Sequence, residues 1–213
     1  MRLLFTALSI MFSVSVAPAQ SNAKTIIEDV RAHYHTDYSF KSDFSMEIDI
    51  PEASKTVMDG TLFLHGDKFK FITDDQEVIS DDVNLWYWTK TGGIDEVQIS
   101  FVEEAEDIIS PSDVFGVYLK GFAYTLVSET VQQGKKLALI EMVPEKRDEN
   151  NPYFKVKVIV NRGNNSLDQL QVYYKDGTVY TFNIKGESKQ TFPVEFFGFN
   201  ATKNPNTEVI DLR

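Results

Sequence analysis

Residues 40–50 read Phe-Lys-Ser-Asp-Phe-Ser-Met-Glu-Ile-Asp-Ile. The even positions are Phe40, Ser42, Phe44, Met46, Ile48 and Ile50, and the odd positions, Lys41, Asp43, Ser45, Glu47 and Asp49, are all polar. Successive side chains of a strand point to opposite faces, so this period of two predicts a strand with one apolar and one wetted face.

Shorter runs of the same character follow it: 60–64, 68–73, 77–80, 84–89, 94–101, 122–128, 136–143, 154–161, 169–174 and 178–185. Turn-forming pairs separate them, at Gly66-Asp67, Asp81-Asp82, Gly92-Gly93, Gln133-Gly134, Asn164-Asn165 and Asp176-Gly177. Asp-Gly tolerates the positive φ of a type I′ turn, so the last pair predicts a two-residue hairpin. About eleven strands with tight turns read as an antiparallel meander curled into a barrel or half-barrel, a mainly β fold with an α component.

Two segments switch to helical spacing. Ile26, Ile27, Val30 and Tyr34 share one face of a helix expected over about 22–35, with Ser21 or Asn22 as its cap. Ser110, Pro111 and Asp113 start a second, over about 111–120, whose stripe is Val114, Phe115, Tyr118, Leu119 and Phe122 and whose stop is Gly121. Two short amphipathic helices and a curled meander fit together if the helices cover the mouth of the sheet.

The chain of 213 residues opens with Arg2, an apolar run from Leu3 to Val16, and Ala17-Pro18-Ala19. That order matches a secretory signal peptide over residues 1–19, with Gln20 as the new N-terminus. Residues 20–213 read as one domain, expected in an exported compartment. There is no cysteine, which excludes disulfides, thiol catalysis and thiolate zinc sites. The formal charge is −11, and removing Arg2 leaves −12. So acidic a chain argues against nucleic acid as a partner and against docking to anionic membranes by charge.

No catalytic constellation is legible. His33 and His35 point apart on a helix, His65 ends a strand, and all three read as ordinary surface residues rather than metal ligands. Gly-x-Ser-x-Gly, His-Glu-x-x-His and phosphate-cradling loops are absent. The carboxylates Glu103, Glu104, Glu106 and Asp107 read as a solvated loop. No enzyme activity, cofactor or metal is expected.

The apolar content of the strands is the main lead. The inward candidates are Phe40, Phe44, Met46, Ile48, Leu62, Leu64, Phe69, Phe71, Trp86, Trp88, Val97, Ile99, Phe154, Val156, Val158, Val172, Tyr180 and Phe182. Periodicity alone leaves a filled core and a hydrophobic cavity both open.

A resemblance narrows the choice. Gly60-Thr61-Leu62-Phe63-Leu64, Asp67-Lys68-Phe69-Lys70-Phe71, Ile79-Ser80-Asp81, Leu85-Trp86-Tyr87-Trp88, Glu96-Val97-Gln98, Ser112-Asp113-Val114-Phe115, the hairpin around Asp176-Gly177 and the tail Glu208-Val209-Ile210-Asp211 occur in an order that resembles the outer-membrane lipoprotein carrier family (LolA-like). The resemblance implies an unclosed eleven-stranded barrel with helices as a lid, and a monomeric periplasmic carrier that shelters lipoprotein acyl chains. It implies as partners acylated lipoproteins, an inner-membrane lipoprotein-releasing ABC transporter and an outer-membrane acceptor. Phe40, Phe44, Met46, Ile48, Leu62, Leu64, Phe69, Phe71, Trp86, Trp88, Val97, Ile99, Phe154, Val156, Val158 and Phe182 would line its cavity. Ile27, Val30, Phe115, Tyr118 and Leu119 would form its lid. The same fold could instead carry or sense another lipid or a glycolipid. One departure is the turn His65-Gly66-Asp67-Lys68, where the best-studied branch has a lid-holding arginine. Lys68 lacks that planar fork.

Energetics explain why such a carrier is needed. Moving a CH₂ into water costs about 0.8 kcal/mol, so a sixteen-carbon chain is worth roughly 12 kcal/mol. No multiply acylated protein leaves a bilayer unaided against that cost.

Overall fold

The computed structural model describes residues 18–35, 38–91, 94–104, 122–146 and 152–213. The expected leader up to residue 17 and the expected helix at 111–120, with Phe115, Tyr118 and Leu119, lie outside them.

Among the described residues one α-helix, α1 (Pro18–Tyr34), precedes twelve strands. These are β1 (Ser39–Asp49), β2 (Thr56–His65), β3 (Lys68–Ile72), β4 (Gln76–Ser80), β5 (Asn84–Thr91), β6 (Ile94–Phe101), β7 (Phe122–Gln132), β8 (Lys135–Pro144), β9 (Tyr153–Asn161), β10 (Ser166–Tyr174), β11 (Val179–Gln190) and β12 (Glu208–Asp211). They form a single sheet in the order β12-β6-β5-β4-β3-β2-β1-β11-β10-β9-β8-β7. The eleven expected strands are all present in an unclosed sheet, with β1 in the middle, between β2 and β11.

The twelfth strand departs from the expectation. β12 pairs with β6 in parallel, Val209 beside Val97. A parallel neighbour needs a crossover rather than a hairpin. Residues 191–207 provide it by passing over the sheet, and a four-residue strand is too short for periodicity to reveal. The helix also starts earlier than read, at Pro18, and proline suits a first helical turn.

The Asp176-Gly177 turn is likewise not a two-residue type I′ turn. The Tyr174 N–H bonds the Thr178 carbonyl (2.9 Å), the Gly177 N–H bonds the Tyr174 carbonyl (3.1 Å), and of the turn residues Gly177 alone has positive φ, 91°. That is a type I turn closed by a glycine bulge. Asp176 accepts the Thr178 N–H on its side chain, at 2.8 Å, rather than entering the left-handed region.

Two apolar layers sandwich the sheet. On the inner face Phe44, Leu62, Phe71, Ile140, Val158 and Leu170 pack with Ala23, Ile26, Ile27, Val30 and Tyr34 of α1 as one core. On the outer face Ile79, Val97 and Ile99 are buried, and so is Phe197, which comes from a short 3₁₀ helix, Val194–Phe197, in the crossover. Aromatic contacts stitch this second layer. Phe63 meets Phe192 and Phe196, His65 stacks on Phe197, and Trp88 meets Phe199.

Candidate functional site: the inner wall of the sheet

Residues directly opposite each other in antiparallel strands share a face. Phe40 pairs with Leu64, Ser42 with Leu62, Phe44 with Gly60 and Met46 with Met58. Leu64 and Leu62 pair onward with Phe69 and Phe71. Across β11, Met46 pairs with Phe182 and Ile48 with Tyr180. Then Leu170, Val172, Val156 and Val158 continue the same wall. Of the inward candidates, Phe40, Phe44, Met46, Ile48, Leu62, Leu64, Phe69, Phe71, Val156, Val158, Val172, Tyr180 and Phe182 therefore stand together on the inner face.

Trp86, Trp88, Val97 and Ile99 do not. Phe71 pairs with Val78, and Val78 with Tyr87, so on β5 Leu85 and Tyr87 face inward. Trp86 pairs with Ile79 and Ile99, and Trp88 with Val97, all on the outer face. The run Leu85-Trp86-Tyr87-Trp88 is apolar at both parities, so alternation could not assign its face; only the register to β3 does. Phe154 is a second correction. It is 45% exposed and its ring lies beside Tyr173. A register shift between Tyr173 and Tyr174 leaves Phe154 without a cross-strand partner, brings Tyr153 opposite inward-facing Tyr174 and turns Phe154 out.

The inner wall has two ends of different character. At one end α1 lies across Phe40, Leu64, Phe69, Val160 and Leu167, each no more than 2% exposed. Both expected lid residues of this helix, Ile27 and Val30, are buried in the core. At the far end Ile48, Met58, Tyr124, Tyr153, Tyr174, Tyr180 and Phe182 are half-buried. Ring contacts link Phe122 to Tyr153 (6.3 Å), Tyr153 to Tyr174 (6.3 Å) and Tyr174 to Tyr180 (5.2 Å), an arc across β7, β9, β10 and β11. Sequence reading picked out only Tyr180 from this arc. The alternation Leu170, Val172, Tyr174 was the signal for a second member.

A polar clasp holds α1 to the wall. β11 carries an irregularity opposite β1 between Lys41 and Asp43, where Gly186 takes φ 78°. The bulge re-aims the following side chain, a common use of such insertions. Glu187 thereby turns inward and meets His33 Nε2 at 2.7 Å and the Tyr34 hydroxyl at 3.1 Å. The Tyr34 oxygen in turn accepts the Leu167 N–H, 3.1 Å away. Burial, then the negative charge of Glu187, push the Tyr34 phenol well above its ordinary pKa of 10.0. His33, expected to be an ordinary surface residue, has a side chain only 14% exposed. His65 is also engaged, by Ser39 Oγ at 3.2 Å, and His35 lies 3.6 Å from Asp67. Lys68 pairs in register with His65 on the outer face. The acidic partner for the helix comes from β11.

Chemically the wall offers apolar surface. Among the described residues its fully buried polar groups are few, Ser42 and Ser80. Among them no group of three His, Cys, Asp or Glu could hold a metal ion. Among them, too, no helix is long and apolar enough to cross a membrane.

No known family model matches this sequence, and no curated protein sequence does. Solved structures do. An uncharacterized conserved protein from Thermus thermophilus is similar over 89% of this chain and 99% of its own, with a TM-score of 0.60 at 7% identity. The two chains share a fold. A LolA superfamily protein from Nitrosomonas europaea is similar over 83% of this chain and 97% of its own (TM-score 0.47, 12% identity). A putative outer membrane lipoprotein-sorting protein domain from Vibrio parahaemolyticus is similar over 87% and 98% (TM-score 0.43, 13% identity).

Proposed function

We propose that this protein is a periplasmic carrier that shelters the acyl chains of lipoproteins against the inner wall of its sheet and moves them from the inner to the outer membrane. The observation that carries the reading is the wall itself. A monomeric single-layer sheet needs one apolar face for its core, and here the inner face extends beyond what α1 covers, to half-buried Ile48, Met58 and Phe182. Methionine and aromatic rings adapt to chains of varied shape, which suits a carrier that must both hold and release.

The sequence resemblance to lipoprotein carriers supplies the cargo class. On this reading residues 1–19 are the cleaved signal peptide. An inner-membrane ABC transporter loads the wall and an outer-membrane acceptor unloads it. No step requires a cofactor, a metal or a reacting side chain.

The test is depletion of the protein in its host. Lipoproteins destined for the outer membrane should then accumulate in the inner membrane. Normal sorting after complete depletion rejects the lipoprotein cargo. Mass spectrometry of material extracted from the purified protein separates lipoproteins from a free lipid or glycolipid.

A further inference from the structure

We infer that the gap where β10 and β11 separate is a binding site for a neutral, hydroxyl-rich ligand on the scale of one sugar unit. The inference goes beyond the carrier reading and does not depend on it.

The gap follows from register. β10 and β11 pair only from Gln169 opposite Asn183 to Tyr173 opposite Val179. Beyond Asn183, β11 stays with β1 as far as Gln190, while Ser166 and Leu167 of β10 stay with β9. Between them lies a cavity of about 210 Å³, with Leu167 and Ile184 as its apolar lining. That volume holds about seven waters, the scale of a monosaccharide and too small for a lipid. Irregularities in both strands bring carboxylates to it. Asp168 falls between the register pairs of Leu167 and Gln169, and Glu187 follows the bulge at Gly186. Both line the cavity, with side chains 24% and 15% exposed.

The bonding capacity around the cavity selects the ligand class. Each carboxylate already has a basic partner: Lys135 Nζ lies 2.9 Å from Asp168 Oδ2, and His33 Nε2 lies 2.7 Å from Glu187 Oε1. Asn161 Oδ1 accepts the Gly163 N–H, and Asn164 Oδ1 accepts the Ser166 N–H and hydroxyl. Both asparagines line the cavity too, and their amide N–H groups remain as donors beside the second oxygen of Asp168. An anion is repelled by two carboxylates. A cation must displace Lys135 to reach Asp168, which breaks an existing ion pair. Hydroxyls both donate and accept, so a polyol bonds amides and carboxylates together and leaves both pairs intact.

NMR titration of the isotope-labelled protein tests this. The probes are the methyl glycosides of glucose, mannose and galactose, with ethanolamine and inorganic phosphate as charged comparisons. At least one glycoside should give saturable shifts centred on the amides of Leu167, Asp168, Gly186 and Glu187. Its dissociation constant should be on the order of 1 mM, as a few net hydrogen bonds provide. Asp168→Ala should weaken it about fivefold or more. Lys135 is exposed, and Lys135→Ala leaves Asp168 unpaired. That variant should bind the glycoside more weakly and ethanolamine more tightly than the unaltered protein does. Glu96→Gln, on β6 in the other half of the sheet, should change neither. No saturable shift from any glycoside overturns the inference. So does tighter binding of ethanolamine or phosphate by the unaltered protein, or glycoside binding that Asp168→Ala and Lys135→Ala both leave unchanged. The carrier reading stands or falls separately, on the depletion experiment.

Discussion

The hydroxyl of Tyr34, in the last turn of α1, donates to Glu187 of β11, 153 residues away, across 3.1 Å. With His33 Nε2, which meets the same carboxylate at 2.7 Å, this contact joins the N-terminal helix to the C-terminal half of the sheet, and the same Tyr34 oxygen satisfies the Leu167 N–H. Tyr34→Phe keeps the ring but strands that buried N–H and one carboxylate oxygen. A loss of about 1–3 kcal/mol in unfolding free energy is expected, measured by denaturant titration. A loss near zero means the clasp does not hold the helix.

The same tyrosine sets an alkaline limit. Its folded pKa lies above its ordinary value of 10.0, because burial and Glu187 disfavour the phenolate. A raised group contributes stability that is complete below the unfolded pKa and is lost as pH rises above it. Unfolding followed between pH values either side of 10 should show stability falling on the alkaline side, and the fall should be smaller in Tyr34→Phe.

Gly60 explains the glycine of the Gly-x-Leu run. It faces Phe44 across the β1–β2 pair, and a Cβ there would sit 2.3 Å from Phe44 Cζ and 2.4 Å from the Ile72 carbonyl oxygen. Phe44 is 1% exposed and stacked on Phe71, so its ring cannot yield freely. Gly60→Ala should destabilise by at least about 1–3 kcal/mol, the usual range for overpacking. A melting temperature equal to that of the unaltered protein contradicts the close approach.

Glu77 pairs with Lys70 at 2.9 Å and with Lys90 on the outer face, where Lys90 also lies over the Trp88 ring. Burial pushes its pKa up, but hydrogen bonds from Lys90 and Lys70 outweigh that and hold it below the ordinary 4.5. A lowered carboxylate contributes stability above its unfolded pKa and loses it as pH falls through the folded one. Glu77→Gln should cost about 1–2 kcal/mol at neutral pH, since charge-assisted bonds at a partly wetted site are lost. Below pH 4 the difference between the two proteins should shrink. A difference that persists unchanged in acid would show that packing, not charge, is responsible.

Phe197 separates the two apolar layers experimentally. It is 2% exposed and covers the outer face, not the inner wall. Phe197→Ala should lower stability by about 3–5 kcal/mol. Apolar dye binding under conditions where the variant remains folded should be unaltered. Loss of dye binding in the folded variant would place the binding surface on the outer face instead.

What the sequence determined by itself is local. The alternation at 40–50, the turn pairs and the stripe Ile26-Ile27-Val30-Tyr34 fixed eleven strands and the first helix, because side-chain period is a property of each segment alone. What only the tertiary structure decided is which face each segment shows and what covers it. Trp86 and Trp88 went to the outer layer because pairing through β3 and β4 set their parity. Phe154 went to solvent because one register shift reversed it, and Glu187 came inward because Gly186 inserts a bulge. Register belongs to pairs of strands distant in sequence, and a shift of one residue exchanges inside for outside, so no single segment carries that information.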